Sequence, residues 1–212
     1  MKRRSSCDAT MLPQGTLRSN NKVDYHPRLK RHRKCYEGMK TYLIDENSFL
    51  YKSFMFPDEN CNKLTTHNYL IGGKFHNGDF HDIIQGHDGK TDILVVFYNP
   101  HYICLDIVID ILRMSNCVAY IIGVTVKRTG LLDSKYNFPI ITSGCQLIRK
   151  LKLLDPLGGG IYPLDCVLKF TAAGHFKNII QLNPCHRKMF ENQLSNMLNG
   201  NDNDQIDTMV VT

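Results

Sequence analysis

The chain has 212 residues, 42% of them apolar and 22% charged, a composition typical of one globular domain with tails. No stretch approaches the ~18 uninterrupted apolar residues of a membrane-spanning helix, and no apolar run of a secretory signal follows the basic first residues. These features argue against a membrane or secreted protein. We therefore expect a cytosolic or nuclear location, with the eight cysteines, none in a C-x₂-C pair, as free thiols.

The positive charge is concentrated at the start of the chain. Residues 1–40 hold eleven Lys or Arg against three Asp or Glu, a net +8, whereas the whole chain carries +6, so the remainder carries −2. Residues 1–38 lack apolar periodicity, and we predict that they form a disordered basic arm. A basic cluster in this arm fits a nuclear address or a phosphate-contacting patch; it consists of Arg28, Lys30, Arg31, Arg33 and Lys34.

Short apolar runs separated by turns begin after Lys40. Residues 41–55 fit either two strands or part of a helix. Residues 67–75 are predicted as a strand bent at its two glycines, and residues 80–85 as a second strand. An Asp-Gly turn at Asp88-Gly89 then leads to a β-branched third strand over 91–98.

The middle of the chain is predicted to hold a helix and two further strands. Residues 102–114 are apolar almost all round, which fits two strands but favours a buried helix. Residues 117–127 are predicted as a fourth strand with a central glycine, and residues 138–147 as a fifth strand after a polar loop. Residues 155–182 fit no assigned element and could add strands or a lid.

A helix is predicted near the end of the chain, over residues 183–200. Asn183-Pro184 is a favourable helix start and Asn199-Gly200 a favourable stop. Its apolar stripe packs either on its own domain or on a partner's helix, and consists of Met189, Phe190, Leu194, Met197 and Leu198. Residues 201–212 are predicted to be a disordered tail.

Five strands with a helix between the third and fourth is the order of an OB-fold, a five-stranded Greek-key barrel that binds oligonucleotides. The runs 89–97, 118–126 and 138–142 resemble the third to fifth strands of the OB-fold family that contains the middle subunit of replication protein A and the Stn-type proteins. The short length, basic arm and many Cys and Asn are most similar to its telomere-capping members. The resemblance implies a mainly β domain over residues 39–182.

The function implied by this resemblance is that of a non-catalytic, single-stranded-DNA-binding subunit of a telomere-capping complex at chromosome ends. Single strands bind through cations that follow the backbone and flat side chains that stack on bases. The predicted contacts are Lys74, Phe75, Phe80, Tyr120, Lys127, Arg128, Lys135 and Tyr136. The expected partners are single-stranded DNA and other OB-fold or telomere-capping subunits, with no membrane, small-molecule substrate, cofactor or metal.

Two alternatives stay open beside this hypothesis. One is a β-barrel hydrolase, either a cysteine protease that pairs Cys145 with a histidine or a nuclease that binds magnesium through Asp79/Asp82 or Asp106/Asp110. The other is an OB scaffold that contacts only proteins, which the net −2 of the domain favours. The histidines and cysteines lack the paired spacing of a structural zinc site, and Gly158-Gly159-Gly160 is not followed by the Lys of a P-loop.

Overall fold

One seven-stranded β-sheet, with helices on both of its faces, organises the described part of the chain. The computed structural model describes residues 44–56, 65–99, 104–126, 136–157, 159–182 and 186–200, all within a compact unit that spans residues 41–212. In chain order the elements are α1 (Phe49–Met55), β1 (His67–Ile71), β2 (Lys74–Gly78), α2 (Phe80–Ile83), β3 (Ile93–Phe97), α3 (Cys104–Ser115), β4 (Tyr120–Val124), β5 (Ile140–Ile141), α4 (Cys145–Lys150), β6 (Cys166–Phe170), β7 (Phe176–Gln181) and α5 (Arg187–Leu198).

The topology of the sheet contradicts the predicted OB barrel. The strand order is β2-β1-β5-β4-β3-β6-β7, with β3, β4 and β5 parallel and the remaining pairs antiparallel. An OB-fold is a Greek-key barrel of antiparallel strands, whereas parallel neighbours such as β3 and β4 require a crossover. Helix α3 is that crossover, so the helix between the third and fourth strands was predicted correctly but its role was not.

The strand predicted to bend at two glycines is instead a hairpin. β1 and β2 pair antiparallel, with Ile71 opposite Lys74. Gly72 and Gly73 between them have φ angles of +55° and +77°, and two successive positive φ angles are characteristic of a two-residue type I′ turn. The glycines therefore separate two strands, and the residues that follow them form β2.

The second predicted strand, residues 80–85, is wrong because a capping box starts helix α2 there. Asp79 Oδ1 accepts hydrogen bonds from the N–H groups of His81 and Asp82 at 2.9 and 3.2 Å. Asp82 Oδ2 in turn accepts the N–H of Asp79 at 3.0 Å. This reciprocal pair satisfies N–H groups at the helix start, and it occupies both aspartates of the first predicted magnesium pair.

Strand β3 lies where the third strand was predicted and is buried on both faces. Alternate residues face two separate apolar layers. Ile93, Val95 and Phe97 pack with α1, α2 and α4, whereas Leu94 and Val96 pack with α3 and α5. A strand enclosed on both faces is continuously apolar, and β3 is the strand around which the two layers form.

The fifth predicted strand, residues 138–147, is mostly absent. β5 contains two residues, and helix α4 begins at Cys145. The change of direction occurs at Gly144, where an added Cβ would lie 2.6 Å from Val124 Cγ1. Because the chain passes so close to β4, a side chain at this position would collide with the sheet.

The unassigned segment 155–182 supplies two antiparallel strands, β6 and β7, which extend the sheet beyond β3. Helix α5 follows within the predicted range 183–200, and Phe190, Leu194 and Met197 are buried in the α3 layer. Lys169 Nζ of β6 donates a 2.6 Å hydrogen bond to the Met197 carbonyl, which ties the end of α5 to the sheet. The predicted helix start at Asn183-Pro184, the arm and the tail lie outside the described residues.

Candidate functional site

The carboxyl ends of the parallel strands bring several reactive side chains to one edge of the sheet. β3 and β4 end at this edge at Phe97 and Val124, which are opposite one another. β6 runs antiparallel to β3 and begins there, with Cys166 opposite Phe97. Helix α3 starts after β3, so Cys104 lies at the same edge. In open α/β sheets the carboxyl ends of strands are a common position for functional sites.

Cys104, the first residue of α3, has a fully buried side chain with 0% exposure. A helix N-terminus lowers the pKa of a thiol, but burial opposes it here and raises the pKa of Cys104 well above its usual value. The negative charge of nearby Asp165 raises this pKa further. Cys104 is therefore protonated at neutral pH and needs a proton acceptor before it can act as a nucleophile.

Asp165 supplies a buried carboxyl group whose charge acts on this thiol. Its Oδ1 accepts the backbone N–H of Asn99 at 2.6 Å, and its backbone carbonyl accepts the N–H of Leu182 at 2.7 Å. Burial raises the pKa of Asp165 to about 6, and the charge of Asp155 adds to this, although the Asn99 hydrogen bond opposes it. A carboxyl group with this pKa is mostly ionised at pH 7 and can both accept and return a proton.

Cys166 directly follows Asp165 and is a second buried cysteine at this edge. Burial, with the charge of Asp165, raises the pKa of Cys166. Both cysteines are free thiols. Cys166 belongs to the apolar layer with α1, whereas Cys104 belongs to the layer with α3. The two side chains thus belong to different layers, although the electrostatic interaction with Cys166 also contributes to the raised pKa of Cys104.

Tyr136 reaches the same edge from the segment before β5. Its hydroxyl donates a 2.6 Å hydrogen bond to Asp106 Oδ1 in the first turn of α3. The Tyr136 ring is nearly buried and stacks on Phe138 with centroids 5.2 Å apart. Tyr136 was predicted to stack on a base, but in this position its ring faces protein atoms.

The other described side chains of the predicted DNA surface do not converge on one groove. Lys74 and Phe75 are exposed on the edge strand β2, and β1 and β5 separate this strand from β4. Tyr120 on β4 donates to the Ile83 carbonyl at 2.7 Å, and burial raises its pKa to about 12. Phe80 is fully buried in the core.

The remaining predicted site residues lie on α5 or outside the described residues. Of the stripe on α5, Met189 is 54% exposed and Leu198 packs partly against the core that encloses the other three residues. Lys127, Arg128, Lys135 and the cluster of the basic arm lie outside the described residues; that cluster consists of Arg28, Lys30, Arg31, Arg33 and Lys34.

Within the described residues, no group of three or more His, Cys, Asp or Glu side chains is placed to hold a metal ion. The second predicted magnesium pair is also engaged in other contacts, because Asp106 accepts from Tyr136 and Asp110 pairs with Arg113 at 3.8 Å. Across the same residues, no helix combines the length and apolar character needed to cross a membrane.

The comparisons with known proteins found only weak structural similarities. No protein-family model matches the chain, and no curated protein matches its sequence. Mycobacterium tuberculosis AhpC matches with a TM-score of 0.47 at 14% identity, over 68% of this chain and 92% of that chain. The mitochondrial 2-Cys peroxiredoxin of Plasmodium falciparum matches with a TM-score of 0.43 at 12% identity, over 68% and 95%. A Xanthomonas campestris bacterioferritin comigratory protein, described by its alkyl peroxide reduction activity, has a TM-score of 0.43 at 14% identity, over 61% and 87%. At these values the likeness assigns neither a family nor an activity to this chain.

The resemblance to OB-fold proteins of the replication protein A middle-subunit and Stn type, and within them to the fruit-fly telomere-capping protein Verrocchio, is wrong. The sheet is open and mixed, with two parallel pairs, and is not a five-stranded antiparallel barrel. The predicted DNA-binding telomere subunit, its partners and its lack of enzymatic activity all depended on that barrel and are overturned with it. The β-barrel hydrolase and the protein-only OB scaffold fail for the same reason. The predicted nuclear location stays a prediction.

Cys104 and Cys166, like the other cysteines, were expected to be free thiols, and no chemical role was predicted for them. Asp165 was missed because it lies in the segment that fitted no assigned element. The sequence feature that points to Asp165 is its position immediately before the apolar run 166–168. An acidic residue at the start of a buried strand requires a partner.

Proposed function

We propose that this chain is a thiol-dependent redox enzyme that reduces small hydroperoxides at Cys104. The observation that carries the proposal is the placement of the Cys104 thiol and the Asp165 carboxyl group, both buried, at the sheet edge where α3 begins. Because the thiol has 0% exposure, a hydroperoxide is a better-fitting oxidant than a disulfide on another protein, which would have to bring a much larger surface to the sulfur.

The reaction follows from the two side chains. Asp165 accepts the proton of the Cys104 thiol as the sulfur attacks the terminal peroxide oxygen. The S–O bond forms while the O–O bond breaks, and the proton passes from Asp165 to the departing alkoxide, which leaves as an alcohol. Cys104 is oxidised to a sulfenic acid and the hydroperoxide is reduced.

An external thiol completes the cycle. Its sulfur displaces the hydroxyl group of the sulfenic acid as water and forms a mixed disulfide with Cys104. A second external thiol attacks that disulfide, releases the Cys104 thiol and leaves as the oxidised disulfide. The enzyme thus converts one hydroperoxide and two thiols to an alcohol, water and a disulfide.

The raised pKa of Cys104 predicts how the rate of turnover depends on pH. A group whose pKa lies well above neutrality is mostly a thiol at pH 7, and the thiolate is the nucleophile. We therefore expect slow turnover at neutral pH that increases as the pH is raised. A rate that is already maximal at pH 6 would contradict this assignment of the reactive thiol.

Consumption of hydrogen peroxide and of a small alkyl hydroperoxide, with a dithiol as reductant, tests the proposal. Cys104→Ser is expected to abolish turnover. The matched control is Cys145→Ser, which removes an exposed thiol that also starts a helix, and it should retain the wild-type rate. Equal rates for the wild type and Cys104→Ser would overturn the proposal.

A further inference from the structure

We propose that a neutral polar cavity between the β1–β2 hairpin and the start of α4 is a binding site for a carbohydrate. The site is separate from the one at Cys104 and does not depend on the proposed function. Strands β5 and β4 lie between β1 and β3. At a strand spacing of roughly 4.8 Å, the hairpin is therefore about 14 Å from the strand that precedes Cys104.

The cavity has a volume of about 270 Å³ and is lined mainly by uncharged side chains that form hydrogen bonds. They come from the segment before β1, from both strands of the hairpin and from the start of α4, and they include Thr66, His67, Asn68, Asn77, Ser143 and Gln146. No Asp, Glu, Lys or Arg is among the described residues that line it. Because an ionised ligand would lose hydration there without meeting an opposite charge, the lining favours a neutral ligand.

Two asparagines of the hairpin orient one another at this cavity. Asn68 and Asn77 are directly opposite in the β1–β2 register, and Asn77 Nδ2 donates to Asn68 Oδ1 at 2.7 Å. Within the part of the chain that the structure describes, this is the hydrogen bond that the two side chains form. The N–H groups of Asn68 Nδ2 and the Oδ1 atom of Asn77 therefore remain for a ligand. Neighbouring hydroxyl groups of a sugar can accept from the first and donate to the second.

Two further side chains add a donor and an acceptor to the lining. Ser143 Oγ accepts the backbone N–H of Asn68 at 3.1 Å, so its hydroxyl hydrogen can be donated to a ligand. The Nε2 atom of buried His67 donates to the Phe54 carbonyl at 2.9 Å. Burial lowers the pKa of His67, so its ring is neutral at pH 7 and its Nδ1 atom is an acceptor. A sugar hydroxyl group both donates and accepts, which suits this mixed lining.

An exposed aromatic ring lies on the same side of the hairpin as the two asparagines. Phe75 is two residues before Asn77 on β2, and alternate residues of a strand share one side. Its side chain is 56% exposed, and the face of its ring is apolar. A sugar ring carries C–H groups as well as hydroxyl groups, so a carbohydrate can contact both Phe75 and the amides. Since two residues of a strand span about 7 Å, a disaccharide is long enough to reach both.

Titration of neutral disaccharides into the isotopically labelled full chain, followed by two-dimensional NMR, tests the proposal. The probes are maltose, cellobiose and lactose. At least one of them should cause saturable shifts of the side-chain amide signals of Asn68, Asn77 and Gln146. Asn77→Ala should weaken that binding by about tenfold, because neutral hydrogen bonds to the ligand and to Asn68 are lost together. Phe75→Ala should weaken it by about threefold or more, because the apolar contact with the ring is lost.

Asn178→Ala is the matched control, because it removes an amide side chain from β7, the edge strand at the other side of the sheet. It should leave disaccharide binding unchanged. Gluconate, which carries a charge, and adenosine, which carries a flat base, represent other classes of ligand and should bind more weakly.

Three results would each overturn the proposal. The first is that none of the three disaccharides shifts the amide signals, as expected of a cavity that holds only water. The second is that Asn77→Ala and Asn178→Ala weaken binding equally. The third is that gluconate or adenosine binds more tightly than every disaccharide.

Discussion

The carboxylate of Asp165 acts on Cys104 in two opposed ways. As a fixed negative charge it disfavours the thiolate and raises the pKa of Cys104. As a base with a pKa of about 6 it can take the thiol proton during the reaction and return it to the leaving group. Asp165 thus adds to the burial that keeps the sulfur protonated at rest, and it assists the sulfur during the chemical step.

Asp165→Asn separates the two effects, since the amide keeps an oxygen that can accept the Asn99 N–H. Loss of the charge should shift the alkylation profile of Cys104 to lower pH. Loss of the proton acceptor should reduce peroxide turnover by about 10²-fold or more. Alkylation rates and steady-state turnover, each measured from pH 6 to pH 10, check both parts.

Asp110→Asn is the control for this experiment, because it neutralises an exposed aspartate on α3, the helix that carries Cys104. It should change neither quantity. If Asp165→Asn lowers turnover while the alkylation profile stays at the wild-type pH, the charge of Asp165 does not act on the thiol.

At the scale of elements, helix α5 is part of the core in this structure. Phe190→Ala should reduce the free energy of unfolding by about 3–5 kcal/mol because it leaves a cavity between α5 and α3. Met189→Ala, on the exposed side of the same helix, should change it by about 0.5 kcal/mol or less. Urea denaturation of both variants measures the difference, and equal losses would contradict the packing of α5.

The attachment of α1 to β1 should depend on pH. His67 is buried, its Nε2 donates to the Phe54 carbonyl at 2.9 Å, and burial lowers its pKa below the usual 6.5. Between that lowered pKa and 6.5 the unfolded chain binds more protons, so stability is complete above pH 6.5 and decreases as the pH falls. His67→Gln should lose less stability than the wild type between pH 7 and pH 5 in thermal melts; parallel curves would exclude His67 as the cause.

Local patterns predicted some elements well and others not at all. β3, α3 and α5 were found because continuous or periodic apolar runs determine them. Helix α2 was missed because residues 80–85 were predicted as a strand and its capping aspartates were interpreted as metal ligands. The β1–β2 hairpin was missed because both a bend and a tight turn need glycine, and the amino-acid sequence does not show the sign of φ.

For the whole molecule, the order of strands along the chain did not determine their order in the sheet. Which strands pair, and whether they run parallel, depends on contacts between residues far apart in the sequence, such as Phe97 with Cys166. The same succession of strands and one helix suits a Greek-key barrel or an open sheet with a crossover. The strands β6 and β7, from the unassigned segment, bring Asp165 to the edge where α3 starts, so the site followed from the part of the fold that was not predicted.

The central claim is that Cys104 is the thiol that an oxidant modifies. Its most direct test is to treat the chain with a small excess of hydrogen peroxide in the presence of a 1,3-diketone that traps sulfenic acids, and to map the adducts by peptide mass spectrometry. The structure predicts an adduct on Cys104 that is strongly reduced in Asp165→Asn. An adduct on exposed Cys145 with Cys104 unmodified would contradict the account.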